Sequence, residues 1–219
     1  MSESTYTIAQ EAMVQQQLIR RGITDERVLA AMRRVPRHLF VPPVMVNEAY
    51  LDKPVPIGYQ QTISQPYIVA HMTELLELPA QGEVKVLEIG TGLGYQAAIL
   101  SYLVTQVYTV ERITQLAKEA RERIIELGLK NINMKVADGG YGWPDQAPYQ
   151  AIIVTAAAPF VPPPLIDQLA DGGVLLLPIG AKRQPQYLLR LRRHGDKIEE
   201  ERLTPVAFVP FLGEHGWAE

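Results

Sequence analysis

Three glycines at every second position, Gly90, Gly92 and Gly94, separate a β-rich apolar run from a segment of helical length. Upstream, Val84, Val86, Leu87 and Ile89 read as a short strand buried on both faces. Downstream, Y-Q-A-A-I-L-S-Y-L-V opens with good helix formers. Strand, glycine turn and helix in that order predict the entrance of a doubly wound α/β domain, where ligands bind outside the carboxyl ends of the strands. Glycine suits such a turn because the backbone bends through positive φ and approaches a ligand with no Cβ in the way. The dinucleotide fingerprint wants a third glycine where this chain has Tyr95, and the Gly-Lys-Ser/Thr of a phosphate-cradling loop is absent. The G-x-G-x-G spacing, preceded by the acid Glu88, points to a nucleoside ligand without a phosphate. An ordinary βα corner has the same local pattern, so the rest of the chain must decide.

Composition narrows the choice. The 219 residues fit one α/β domain with an extension. A net charge of −3 gives no basic field for nucleic acid, and no apolar run is long enough to span a membrane. The N-terminal M-S-E-S-T-Y-T lacks the basic and apolar regions of a secretory leader, which makes the cytoplasm the expected compartment. With no cysteine there are no disulfides, thiolate metal sites or cysteine nucleophiles, and the four histidines are scattered without ligand spacing, so no metal is expected.

Before the glycine turn, residues 6–20 predict a helix with Ile8, Ala12 and Ile19 on its buried stripe, ended by Gly22. Thr24 is a candidate cap for a second helix, with Val28, Met32 and Val35 facing inward and Pro36 stopping it. The basic cluster R-R-V-P-R at 33–37 reads as a solvated helix end. Prolines at 42, 43, 54 and 56 then mark an extended stretch leading to G-Y-Q-Q-T-I-S-Q-P-Y, residues 58–67. This stretch is dense in hydrogen-bonding groups and runs into a helix at Pro66, with Ile68, Met72, Leu75 and Leu76 as its apolar stripe. Ser64 either caps that helix or turns its hydroxyl to a reacting centre.

After the turn, Q-V-Y-T-V-E at 106–111 predicts a second strand ending in Glu111, 21 residues beyond Gly90, where an acid can accept bonds from both ribose hydroxyls. Thr114–Leu127 is amphipathic, with Leu116, Ala120, Ile124 and Leu127 inward and Gly128 as its C-terminal stop. The strand at 131–139 ends in Asp138-Gly139, which reads either as a plain turn or as a carboxylate for an adenine amine with Gly139 clearing room for the ring. Further strands are predicted at 149–159, with Thr155 at the carboxyl end, and at 172–180, with a helix between them that Pro162 to Pro164 start and that carries Leu165, Ile166 and Leu169. The more polar, alternating segments at 186–193 and within 198–210 predict antiparallel or edge strands.

Together, the glycine turn with Glu88, the acid at 111 and the Asp-Gly at 138–139 resemble the class I S-adenosylmethionine-dependent methyltransferases. G-Y-Q-Q-T-I-S-Q-P-Y, V-L-E-I-G-T-G-L-G-Y-Q, Y-T-V-E-R, D-G-x-x-G-W, A-I-I-V-T-A-A-A-P and G-G-V-L-L-L-P-I-G, in this order, resemble the protein-L-isoaspartate O-methyltransferase family more closely. The likeness runs over residues 8 to 213, and T-I-S-Q-P is its specific part. It implies a mostly parallel, Rossmann-like seven-stranded sheet. Residues 1–219 would form one domain, with 1–80 a helical extension carrying T-I-S-Q-P and 81–219 the cofactor-binding core. It implies S-adenosyl-L-methionine as methyl donor and isoaspartyl peptides and proteins as substrates of a monomer. Glu88, Gly90, Thr91 and Gly92 would line the cofactor, with Glu111 on its ribose and Asp138 and Gly139 at its adenine. Ser64, with the backbone around Thr62 and Ile63, would meet the acceptor carboxyl. T-P-V-A-F-V-P at 204–210 resembles the substrate-docking strand, with Ala207 where relatives are expected to carry arginine. The glycine-rich A-D-G-G-Y-G-W is expected to loosen the loop after Asp138. The readings left to separate are a methyltransferase for small molecules, a nicotinamide-dependent oxidoreductase and a non-catalytic binding module.

Overall fold

The computed structural model describes residues 3–180 and 184–218. Its centre is a seven-stranded sheet of β3 (Lys85–Ile89), β4 (Gln106–Glu111), β5 (Ile132–Val136), β6 (Tyr149–Val154), β7 (Leu169–Ile179), β8 (Gln186–His194) and β9 (Lys197–Val206), in the spatial order β5-β4-β3-β6-β7-β8-β9. The first five run parallel, and β8 and β9 are antiparallel, as their alternating polarity predicts. The chain leaves β3 toward β4 on one side and returns to β6 on the other. The carboxyl end of β3 is therefore the switch point of the sheet, the place where such folds bind ligands.

The central strands are apolar on both faces because both faces are covered. Leu87, Ile89, Ile152, Val154, Leu175 and Leu177 pack into one buried cluster. The alternate residues Val86, Val107, Ala151, Ile153, Val174 and Leu176 pack into another with Ala97 and Leu100. Helix α4 (Tyr95–Ser101) starts at Gly94 with φ +94, and helix α5 (Thr114–Glu126) buries Leu116, Ala120 and Ile124 as its periodicity predicts. Helix α6 (Pro163–Asp167) precedes β7.

The N-terminal region departs from expectation in four places. First, helix α1 (Glu3–Met13) widens into a π-helical turn at Val14–Leu18 and closes as a 3₁₀ turn at Ile19–Arg21. The buried side chains are Gln10, Met13, Val14 and Leu18, while Ile8 and Ile19 are exposed. The inward face keeps the ordinary i, i+3, i+4 spacing but is offset from the expected stripe, and Gln10 belongs to it because its amide donates to the Met32 and Val35 carbonyls at 2.8 and 2.7 Å. Second, Asp25 rather than Thr24 caps helix α2 (Glu26–Arg34), accepting the Arg27 N–H at 2.8 Å, while Thr24 bonds to Glu74. Third, the region is not purely helical. Strands β1 (Val55–Gly58) and β2 (Gln61–Ile63) form a hairpin whose turn residues Tyr59 and Gln60 both have positive φ. Fourth, Arg37 is not at a solvated helix end but has no exposed surface.

Helix α3 (Pro66–Leu75) begins at a first-turn proline as expected, burying Met72 with Val69, Ala70 and Thr73, and Leu76 is buried just beyond its end. The extension shares one apolar cluster with Leu93, Tyr95, Ala98, Ile99 and Leu116 of the sheet region, which fixes the T-I-S-Q-P segment against the glycine turn.

Candidate active site

The glycine turn is held by groups from three neighbouring strands. Gly90 has φ +97, and a Cβ there would overlap the Thr155 hydroxyl, which donates to the Gly90 carbonyl at 2.7 Å. Gly92, with φ +56, gives its N–H to Glu111 Oε2 at 2.8 Å. The other oxygen of Glu111 accepts from the Ile113 N–H at 2.9 Å. Burial raises the Glu111 pKa, opposed by the N–H groups of Ile113, Gly92 and Arg112. A carboxylate held this way keeps acceptor capacity for a ribose hydroxyl.

Glu88 sits elsewhere. It is fully buried and is not among the residues lining the hollows described below, whereas the sequence reading placed it along the cofactor. Its Oε2 accepts from Thr109 at 2.5 Å, and the Thr109 and Thr91 hydroxyls are 2.5 Å apart. Burial pushes its pKa up to about 8, with the Thr109 bond opposing and the charge of Glu111 adding. At neutral pH Glu88 is a carboxylic acid bracing the turn from behind.

Three hollows run together across this end of the sheet. The first is lined by Ile89, Gly90, Gly92, Glu111, Gly139 and Phe211. The second is lined by Ile63, Ser64, Thr91, Tyr95, Gln96 and Phe208. The third opens outward between Ser64, Gln65, Tyr67, Pro205 and Ala207. Thr62 and Thr155 line all three. Ser64 stands where the second meets the third. Its hydroxyl makes no hydrogen bond among the described residues, and α3 starts after Gln65 without a side-chain cap, so Ser64 does not cap the helix. The Ser64 carbonyl accepts from Arg37 Nη2 at 2.7 Å.

Gly139 enters the first hollow, as expected, but Asp138 does not. It borders an adjoining hollow that shares Arg112 and Leu212 with the first, and its oxygens accept the N–H groups of Gly140 and Glu214 at 2.8 and 2.9 Å. Nor is the loop after it loosely tied. Gln168 accepts the Trp143 N–H and donates to the Tyr141 carbonyl, at 2.7 and 2.9 Å, where a Cβ on Gly142 would collide with it. Among the described residues no cluster of three histidines or acids is placed to hold a metal ion, and no helix is long and apolar enough to cross a membrane.

Sequence reasoning placed Thr155 at a strand end without giving it a role, and it missed Arg37 and the C-terminal wall. Thr155 was reachable from its strand-end position beside the switch point. The wall was not: Phe211 lines the first hollow because its N–H bonds the Ala157 carbonyl at 2.8 Å and the Trp217 indole bonds the same carbonyl at 3.1 Å.

The residues fit a nucleoside donor without phosphate: glycines that leave room, a buried acid at the second strand end, and no basic cradle in the first hollow beyond Arg112. A family model described as protein-L-isoaspartate(D-aspartate) O-methyltransferase matches residues 9–216. The chain is 51% identical over 215 residues to a protein-L-isoaspartate O-methyltransferase of Syntrophotalea carbinolica, covering 98% of both chains. It is 53% identical over 213 residues to one of Geobacter metallireducens, covering 97% of both. A solved protein-L-isoaspartate O-methyltransferase superposes with a TM-score of 0.84 at 28% identity, over 94% of this chain and 67% of that one. A Plasmodium falciparum structure of the same name, in complex with S-adenosyl-L-homocysteine, superposes at 0.79 and 25% identity over 93% and 98% of the two chains. Likeness over nearly the full length reaches the T-I-S-Q-P segment as well as the glycine turn, and on that ground the chain belongs to the protein-L-isoaspartate(D-aspartate) O-methyltransferase family.

Proposed function

We propose that this chain moves a methyl group from S-adenosyl-L-methionine to the free α-carboxylate of L-isoaspartyl residues in damaged peptides and proteins, whose ester then closes to a succinimide. The observation that carries the reading is the continuity of the three hollows, with the unpaired Ser64 hydroxyl where the second meets the outward third. The donor, when bound, supplies a methyl group activated by a sulfonium leaving group.

The protein supplies placement. Gly90, Thr91 and Gly92 shape the donor side, Glu111 takes the ribose hydroxyls, and Gly139 leaves room for the adenine, whose amine reaches the remaining acceptor capacity of Asp138. On the acceptor side, the Ser64 hydroxyl orients the carboxylate, the backbone at Thr62 and Ile63 borders it, and the peptide runs out past Ala207. The acceptor is ionised at neutral pH, because ordinary carboxyls titrate near 4, so no protein base is needed. Fixing oxygen, methyl and sulfur in line contributes about 7–11 kcal/mol at best. Attack by an anion on a cation neutralises charge, and a site drained of water favours it. The apolar side chains of Ile57, Ile89, Phe208 and Phe211 exclude that water. In keeping with a net charge of −3, the partner is a peptide rather than nucleic acid; a monomer in the cytoplasm is the working unit we propose.

Transfer of labelled methyl to a paired isoaspartyl and aspartyl peptide tests the reading. Label is expected in the isoaspartyl member alone; equal labelling of both, or of neither, sinks it.

A further inference from the structure

We propose that Arg37 is a positioning residue for methyl transfer: its guanidinium clamps the main chain at Ser64 against the helix that follows the glycine turn, and so sets where the acceptor is presented. The proposal rests on the role given above to Ser64.

Arg37 has no exposed surface, and no carboxylate pairs with it among the described residues. A buried cation is a poor way to fill apolar space, since well-packed hydrophobic residues of similar volume are often as stable or more so. Its contacts point to another use. Nε donates to the Ala49 carbonyl and Nη2 to the Ser64 carbonyl, both at 2.7 Å. The guanidinium carbon also lies 4.8 Å from the centre of the Tyr95 ring. Tyr95 is the first residue of α4 and lines the second hollow together with Ser64. One rigid planar fork therefore joins three stretches remote in sequence, and two of them are walls of the site. A lysine, with a single point charge, cannot span both carbonyls in that geometry.

Ser64 needs such an anchor. It lies in the two-residue link between β2 and α3, and its hydroxyl has no protein partner to hold it. The neighbouring Gln65 is tied separately, its amide donating to Asp52 Oδ1 at 2.7 Å. The position of the Ser64 hydroxyl thus follows from its own main chain, and the side chain gripping that main chain is Arg37. The arrangement also keeps the cation one peptide unit behind the acceptor, so the carboxylate is oriented by a hydroxyl and its nucleophilicity is not quenched by a direct ion pair.

Arg37→Met and Arg37→Lys, alone and with Ser64→Ala, test the idea, reading kcat and KM for an isoaspartyl peptide at saturating donor, S-adenosylhomocysteine affinity by calorimetry, and melting temperature. Arg37→Met is expected to lower kcat at least tenfold with S-adenosylhomocysteine affinity within threefold of wild type, and Arg37→Lys to recover part of the loss. The double variant with Ser64→Ala is expected to be no slower, within twofold, than the slower single variant, because both remove one placement. A folded Arg37→Met with kcat within twofold of wild type overturns the proposal. So do parallel losses of kcat and S-adenosylhomocysteine affinity, or losses that multiply in the double variant. If Arg37→Met does not fold, Arg37→Lys decides: a kcat reduced threefold or more at unchanged affinity supports the clamp, and wild-type kcat overturns it. A wild-type enzyme that methylates no isoaspartyl peptide removes the functional reading itself, an outcome distinct from all of these.

Discussion

The two walls of the cleft are built in opposite ways. The wall proposed for the donor is local: Gly90, Gly92, Glu111 and Thr155 lie at the ends of adjacent parallel strands, and backbone geometry does most of the placing. The wall proposed for the acceptor is assembled from a distance. Ser64 sits in a short link whose carbonyl is gripped by Arg37, 27 residues earlier, and whose outer rim comes from Pro205 and Ala207, far along the chain. A wall made of glycines and strand ends tolerates little change at any point. A wall made of side-chain ties is open to adjustment, and it is the side that must admit many protein sequences.

The sharpest way to break this contrast is at Gly90. Alanine there meets both a φ of +97 and the Thr155 hydroxyl, and such strain costs of order 1–3 kcal/mol before any overlap is counted. Affinity for S-adenosylhomocysteine should fall on the order of 100-fold; calorimetry returning wild-type affinity would show that the turn does not need its glycine. Next in size, Ser64→Ala should lower kcat at least tenfold while leaving S-adenosylhomocysteine affinity unchanged. Turnover equal to wild type would make Ser64 a bystander on the acceptor wall.

Asp138→Ala should weaken S-adenosylhomocysteine by about fivefold, less than Gly90→Ala because Asp138 stands outside the main hollow. Unaltered binding would restrict Asp138 to holding the Gly140 and Glu214 N–H groups.

The smallest effect on binding belongs to Glu88→Gln, no more than about twofold at pH 7, because the native carboxyl is already neutral there. Stability separates the two proteins instead. The unfolded carboxyl ionises above its ordinary 4.5, whereas the folded one keeps its proton to about 8. Folded protein therefore binds more protons across that window, and this contribution to stability is fully present below 4.5 and declines until about 8. The slope is about 1.4 kcal/mol per pH unit for wild type relative to Glu88→Gln. Denaturant titrations from pH 5 to 9 should show the glutamine variant gaining over wild type up to about pH 8 and then holding level. Parallel curves would mean that Glu88 is ionised in the fold.

How much of this was legible in advance follows from the range of the interactions. The parallel core, the switch point and the position of Glu111 and Gly139 beside it could be read from apolar runs and glycine spacing, because each depends on residues a few positions apart. The buried face of α1 could not, since polar Gln10 lies on it, satisfied by carbonyls of a distant stretch of chain. The burial of Glu88 and Arg37 was equally hidden: polarity suggests a ligand contact or a solvated end, and only distant partners make interior positions tenable.

The sequence by itself determined the doubly wound sheet and the glycine turn at its switch point, because hydrophobic period and backbone freedom are local properties of a chain. Tertiary structure alone decided that Glu88 braces the turn from behind, that the C-terminal segment walls the donor hollow, and that Arg37 holds Ser64. Each of those needs two stretches brought together whose separation along the chain carries no periodic signal, and packing is the only thing that chooses between them.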